Sequence, residues 1–136
     1  MSRSVVIVDA VRTPFGKAGS LYAGTRADDL IVRAIRGLLE RNPKVDPKTI
    51  DDVAIAAATQ SGDQGMNIGR SAALLSGLPN SVPGYSIDRW CAGALTAVTT
   101  VAGSIARVPT MLQSLVVLNI WVITQWAKVW IQTRVI

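Results

Sequence analysis

The chain has 136 residues, 49% of them hydrophobic and 17% charged, the balance of a sequence that buries one modest core rather than of a disordered one. Its formal charge of +5 is scattered along the chain with no run of Lys or Arg interleaved with aromatics, which argues against nucleic-acid binding. A single cysteine excludes an internal disulfide, and the lack of histidine removes the usual base near neutral pH and the commonest metal ligand, so no metal site is expected.

The opening Met1-Ser2-Arg3-Ser4 leads directly into an apolar run without the hydrophobic core of a signal peptide, so the cytoplasm is the expected compartment. Val5 to Ala10, with three valines and an isoleucine, is too short for a helix and reads as a central strand buried on both faces. The Gly- and Pro-containing stretch from Arg12 to Gly24 is a loop, and Thr25 is placed to cap a helix whose first turn holds Asp28 and Asp29. From Ala27 to Arg41 the positions Leu30, Ile31, Ala34, Ile35, Leu38 and Leu39 recur at helical spacing, and the helix must stop before Pro43. Val53 to Ala57 predicts a second buried strand, Thr59 to Gly65 a loop, and Asn67 to Ser76 a short helix closed by Gly77 and Pro79. Val82 to Asp88 predicts a third strand, broken early by Pro83 and Gly84, and a small-residue helix then runs from Trp90 to about Ala106. Strands alternating with helices indicate an α/β layered domain with parallel pairing.

After Ala106 the character changes. Residues 107 to 136 contain no acid, no glycine and three of the four tryptophans. Met111 to Ile131 has about the length of a spanning helix, yet Gln113, Asn119, Thr124, Gln125 and Lys128 fall inside it, and polar groups there are costly. Membrane insertion is therefore not expected. The genetic code gives a sharper reading. Joining the third base of each codon to the first two of the next, Arg107 to Val135 can be read as GAYDVAVAGGVEHMGHHPMGEGVDPNPR. That string restores glycine, acid and histidine and supplies a strand-like DVAVAGG after the helix. The chain thus divides into a body, 1–106, and a tail, 107–136, read as an out-of-frame translation with no native domain. By this reading the strand due after the last helix is missing, which leaves the body marginally stable.

Three stretches carry a family pattern. They are Val6-Ile7-Val8-Asp9-Ala10-Val11-Arg12-Thr13-Pro14-Phe15-Gly16; then Gly65-Met66-Asn67-Ile68-Gly69-Arg70 with Ala72-Ala73 and Gly77-Leu78-Pro79; and Val82-Pro83-Gly84-Tyr85-Ser86-Ile87-Asp88-Arg89-Trp90-Cys91-Ala92-Gly93-Ala94-Leu95. In order and spacing they resemble the amino-terminal part of the thiolases, the acetyl-CoA acyltransferases, and GGVEHM in the shifted frame resembles that family's next strand and turn. The resemblance implies the incomplete amino-terminal portion of a thiolase-type αβα domain with a parallel-rich sheet. It also implies CoA-dependent acyl transfer in fatty-acid or ketone metabolism, with acyl-CoA and CoA as substrates rather than bound cofactors. Cys91 takes the place of the nucleophile that forms the acyl-thioester, and its own backbone N–H that of an oxyanion donor. A helix N-terminus favours a thiolate there.

A lone cysteine between a strand and an Ala-rich helix is by default a buried small hydrophobe. The flanking motifs reverse that reading. Gly62, Gly65 and Gly69 match neither a P-loop nor a dinucleotide fingerprint, which leaves turn and packing roles. Arg12 and Arg70 read as solvated or paired side chains. The family's activating histidine and second cysteine lie in a C-terminal half that these residues do not include, so the polypeptide is expected to be inactive alone. Other readings are a non-catalytic fragment docking on a full-length thiolase or forming a homo-oligomer, and a membrane-tethered fragment.

Overall fold

A computed structural model describes residues 4–17 and 19–107 in full and, for 113–120 and 128–132, the course of the backbone. Helix α1 (Ala27–Arg41) occupies the residues that periodicity assigns to it, and Ile31, Ile35 and Leu38 on its apolar stripe are fully buried. Its first turn is held by an unexpected group. The N-cap position falls on Arg26, not Thr25, and carries no side-chain cap. The Thr25 N–H closes a turn onto the Tyr22 carbonyl. The Ala27 N–H is instead bound by Asp63 Oδ2 at 2.6 Å, from a loop 36 residues further along. No local pattern reveals a cap that comes from so far away. Asp28 occupies the first turn, as the helix dipole favours, and pairs with Arg26 at 2.8 Å.

The core is arranged around strand β2 (Asp52–Ala57). Alternation sends Val53, Ile55 and Ala57 to a layer formed by α1 and α2 (Ile68–Leu75), while Ala54 and Ala56 face Ala97, Val101 and Ile105 of α3 (Gly93–Arg107). Helices therefore cover both faces of the sheet. Strand β3 (Tyr85–Ile87) runs parallel to β2 on one side, and β4 (Gln113–Ile120) runs parallel to it on the other. Strand β5 (Lys128–Gln132) lies antiparallel between β4 and β1 (Val6–Val11), giving the order β1-β5-β4-β2-β3. Among the described strands only β5 opposes the common direction, so this is the expected αβα layering with a parallel-rich sheet.

Two expectations are corrected. Strand β1 is not central: it lies at the sheet edge with β5 as its neighbour, and Val6, Ile7 and Val8 are 43%, 60% and 46% exposed. An unbroken apolar run signals two-sided burial only where layers cover both faces. Besides its pairing with β5 and the packing of Val11 on the core, β1 has a polar anchor. Asp9 accepts hydrogen bonds from Arg41 and Asn42, both at 2.9 Å, which tie the strand to the end of α1. The second correction concerns the strand expected to be missing after α3, because β4 stands there, paired with β2 from Asp52 and Ser114 onward. Strand pairing is a backbone interaction favoured by β-branched residues, and Val116 and Val117 supply them as readily as the two valines of DVAVAGG do in the other frame.

The remainder of the tail, 108–112, 121–127 and 133–136, lies outside the described residues, and the formation of β4 and β5 does not bear on the frame from which the tail is read. Among the described residues no helix is long and apolar enough to cross a membrane. Within the span considered for a membrane helix, 113–120 and 128–131 are sheet strands.

Candidate active site

Parallel strands of an open α/β sheet present ligands at their carboxyl ends, and Cys91 lies just beyond that end of β3. Residues Trp90–Ala92 form a tight 3-10 turn that runs into α3. Trp90 holds φ at 44°, the left-handed region, where a bulky L residue is disfavoured by roughly 1–2 kcal/mol. Such a strained residue persists only where its surroundings fix it. The consequence of the turn is that Cys91 is exposed rather than packed as a small hydrophobe.

Hydrogen bonds close this turn from both sides. The Ala92 N–H donates to the Arg89 carbonyl at 3.0 Å and the Gly93 N–H to that of Trp90. Among the described residues the Cys91 N–H meets no backbone carbonyl. Arg89 Nη1 donates to Thr96 Oγ1 at 2.7 Å, and the Thr96 hydroxyl donates to the Ala92 carbonyl at 3.0 Å. Gly93 seats the start of α3 on the sheet, since a Cβ there would stand 3.1 Å from that of Ala56.

The strand that leads to Cys91 is clamped by the first turn of α2. Gly69 packs so closely on the backbone of Tyr85 that any Cβ would collide with the Tyr85 carbonyl, and a Cβ on Gly84 would lie 2.7 Å from the Gly69 oxygen. Around this contact Asn67, itself at φ 54°, donates from Nδ2 to the Gly84 carbonyl at 3.0 Å, and the Gly69 N–H donates to Ser86 Oγ at 3.1 Å. Arg70 completes the clamp by donating to the carbonyls of Val82 and Asn80. Arg70 thus has a structural role, and Arg12 lies over the Phe15 ring, 4.2 Å from its centroid. Gly62, at φ 58°, and Gly69 have the turn and packing roles expected of them. Gly84 breaks the strand early, as its type predicts, and β3 begins at Tyr85, but the close approach of Gly84 to Gly69 and the Arg89–Thr96 pair leave no local signal, because their partners are set by tertiary contact.

At the opposite end of β2, burial pushes the Asp52 carboxyl above its ordinary value, only partly countered by the hydrogen bond it accepts from the Val53 N–H. Burial, with the nearby Asp52 charge, raises Tyr85 as well. The folded chain therefore holds the Asp52 proton more tightly than the unfolded chain. Its stability contribution is fully present below 3.8 and is lost as pH rises through the raised folded value. Asp52→Asn is expected to raise the urea midpoint modestly at pH 7, with the gain shrinking as pH falls toward 3.8. A gain that persists unchanged at low pH would show that ionisation is not its cause.

Among the described residues no group of three or more Asp, Glu, Cys and His side chains is placed to hold a metal.

The family model for the thiolase N-terminal domain matches residues 5–110. The chain is 48% identical over 106 residues to the beta-ketoadipyl-CoA thiolase of Pseudomonas knackmussii, covering 78% of this chain and 26% of that protein. It is 44% identical over 101 residues to a 3-ketoacyl-CoA thiolase of Pseudoalteromonas translucida, covering 74% and 26% respectively. Among solved structures, the acetyl-CoA acetyltransferase of Bacillus anthracis superposes with a TM-score of 0.76 at 30% identity, over 84% of this chain and 28% of that one. The chain spans about a quarter of the length of the curated relatives it matches. The matched segment contains β1, the α2 clamp, β3, the Cys91 turn and α3, and with these elements in common the chain belongs to the thiolase family.

Proposed function

We propose that these residues are the amino-terminal part of a CoA-dependent acyltransferase in which Cys91 is the acyl-accepting nucleophile. The observation that carries this reading is the exposed Cys91 in a strained turn between the end of β3 and the start of α3. A thiolate at that position would attack the keto carbon of a 3-ketoacyl-CoA. The bond between that carbon and its α-carbon then breaks, its electron pair leaves with acetyl-CoA and is protonated, and the acyl group stays on sulfur. A second CoA thiolate takes the acyl group and frees Cys91, and the reverse sequence is condensation. The Cys91 N–H is the donor we assign to the thioester oxyanion.

The remaining machinery must come from elsewhere, because the 136 residues hold one cysteine and no histidine. A nucleophile without its base is weak. The polypeptide is therefore expected to show no thiolysis of acetoacetyl-CoA above a Cys91→Ala control. Turnover lost specifically on that substitution would overturn the expectation.

We further infer that the tail departs from the parent frame near codon 106. The family match ends at residue 110, a few residues after composition changes. A second reading, docking on a full-length thiolase without catalysis, is favoured by the exposed apolar residues of β1. Co-purification with a full-length thiolase, lost on Ile7→Lys, would support it. The nucleotide sequence downstream of codon 106 separates the two, since only the first requires a continuous thiolase frame there.

A further inference from the structure

Strain at Trp90 must be held by something, and the contacts around it form a closed ring. Arg89 accepts the Ala92 N–H at its carbonyl, and its guanidinium reaches over the turn to Thr96 Oγ1 at 2.7 Å. Thr96 returns to the Ala92 carbonyl at 3.0 Å. The residues enclosed between Arg89 and Ala92 are Trp90 and Cys91. The back-bond of Thr96 to the carbonyl four residues earlier is ordinary for a helical threonine, and Thr99 makes the same bond to Leu95 at 3.1 Å. Only Thr96 also receives a guanidinium from the far side of the turn. Among the described residues Arg89 has no ion pair that would draw it elsewhere.

We propose that Arg89 and Thr96 form a clasp that fixes the Cys91 turn, which makes Arg89 a positioning residue for the nucleophile. The proposal rests on the reading of Cys91 given above. It requires a charge-assisted donor at 89 and a hydroxyl at 96, because only a hydroxyl can accept from Arg89 and donate to Ala92 at once. An alanine at 89 or a valine at 96 would open the ring and let Trp90 relax out of the left-handed region, carrying Cys91 away from the helix N-terminus.

The chain has a single thiol, so alkylation of the full 136-residue protein by iodoacetamide reports on Cys91 alone. At pH 7, Arg89→Ala and Thr96→Val are each expected to slow alkylation roughly threefold or more, and the double variant no further than the slower single one. Thr96→Ser should restore the wild-type rate. Thr99→Val, which removes the bonds from that hydroxyl to the Leu95 and Thr96 carbonyls but leaves the Thr96 hydroxyl and Arg89 in place, should leave it unchanged. If Arg89→Ala does not fold, the Thr96→Val and Thr96→Ser pair decides the matter alone, with folding checked by circular dichroism. An unchanged rate in folded Thr96→Val, additive effects in the double variant, failure of the serine, or equal slowing by Thr99→Val would each overturn the clasp. Failure of acetyl transfer to Cys91 in a frame-restored protein would instead count against the nucleophile reading, whatever the alkylation rates.

Discussion

If the tail departs from the parent frame as proposed, restoring the reading frame near codon 106 is expected to yield thiolase activity, without any change to residues 1–106. The body already holds strand, clamp, Cys91 turn and helix, and its family match runs from residue 5 to residue 110. Every irregularity of composition begins after Ala106, and on the proposed reading a single insertion or deletion would account for the change. The corrected product should gain the histidine base, the second cysteine and the rest of the sheet. Thiolysis of acetoacetyl-CoA should then fall by a factor on the order of 10⁴ or more on Cys91→Ala, as when one member of a cooperating catalytic set is removed. A corrected frame that soon meets a stop codon would defeat the proposal.

The second large effect is on stability and falls on Gly69. In an exposed helix interior Gly→Ala gains about 1 kcal/mol from propensity, and a glycine near the start of α2 invites that substitution. Steric contact decides otherwise, because a Cβ would meet the backbone carbonyl of Tyr85, which has no rotamer with which to yield. Overpacking against backbone should outweigh the propensity gain and destabilise the chain by about 3 kcal/mol or more. Gly37→Ala in α1 is the contrasting case. Nothing lies within 4 Å of its would-be Cβ, so stability should rise by about 0.5–1 kcal/mol. Urea unfolding of the two variants should show midpoints moving in opposite directions. A Gly69→Ala variant as stable as the parent would show that α2 does not clamp β3.

Local pattern carried much of this fold. The stripe of Ile31, Ile35 and Leu38 marked α1 to its ends, and the apolar run at Val53 to Ala57 marked β2, because burial of one helical stripe or of both strand faces leaves a period in the sequence. Tertiary partners leave none. Asp63 caps α1 from another loop, so Thr25 looked like the cap although its own backbone is engaged in a turn. The valines of β1 suggested a central strand, yet strand order depends on which other strands are present. The family motif located Cys91, while the Arg89–Thr96 ring around it appears only once α3 is folded back over the turn. The tail shows the opposite hazard, because an apolar, β-prone stretch can pair with β2 whichever frame produced it.

The most direct measurement is peptide mass spectrometry of the frame-restored protein after brief exposure to acetyl-CoA. The expected result is a single acetyl group on the peptide containing Cys91, removed by added CoA and absent from Cys91→Ala. Acetylation confined to another residue, or none on Cys91 in a folded protein, would contradict the assignment of Cys91 as the acyl-accepting nucleophile.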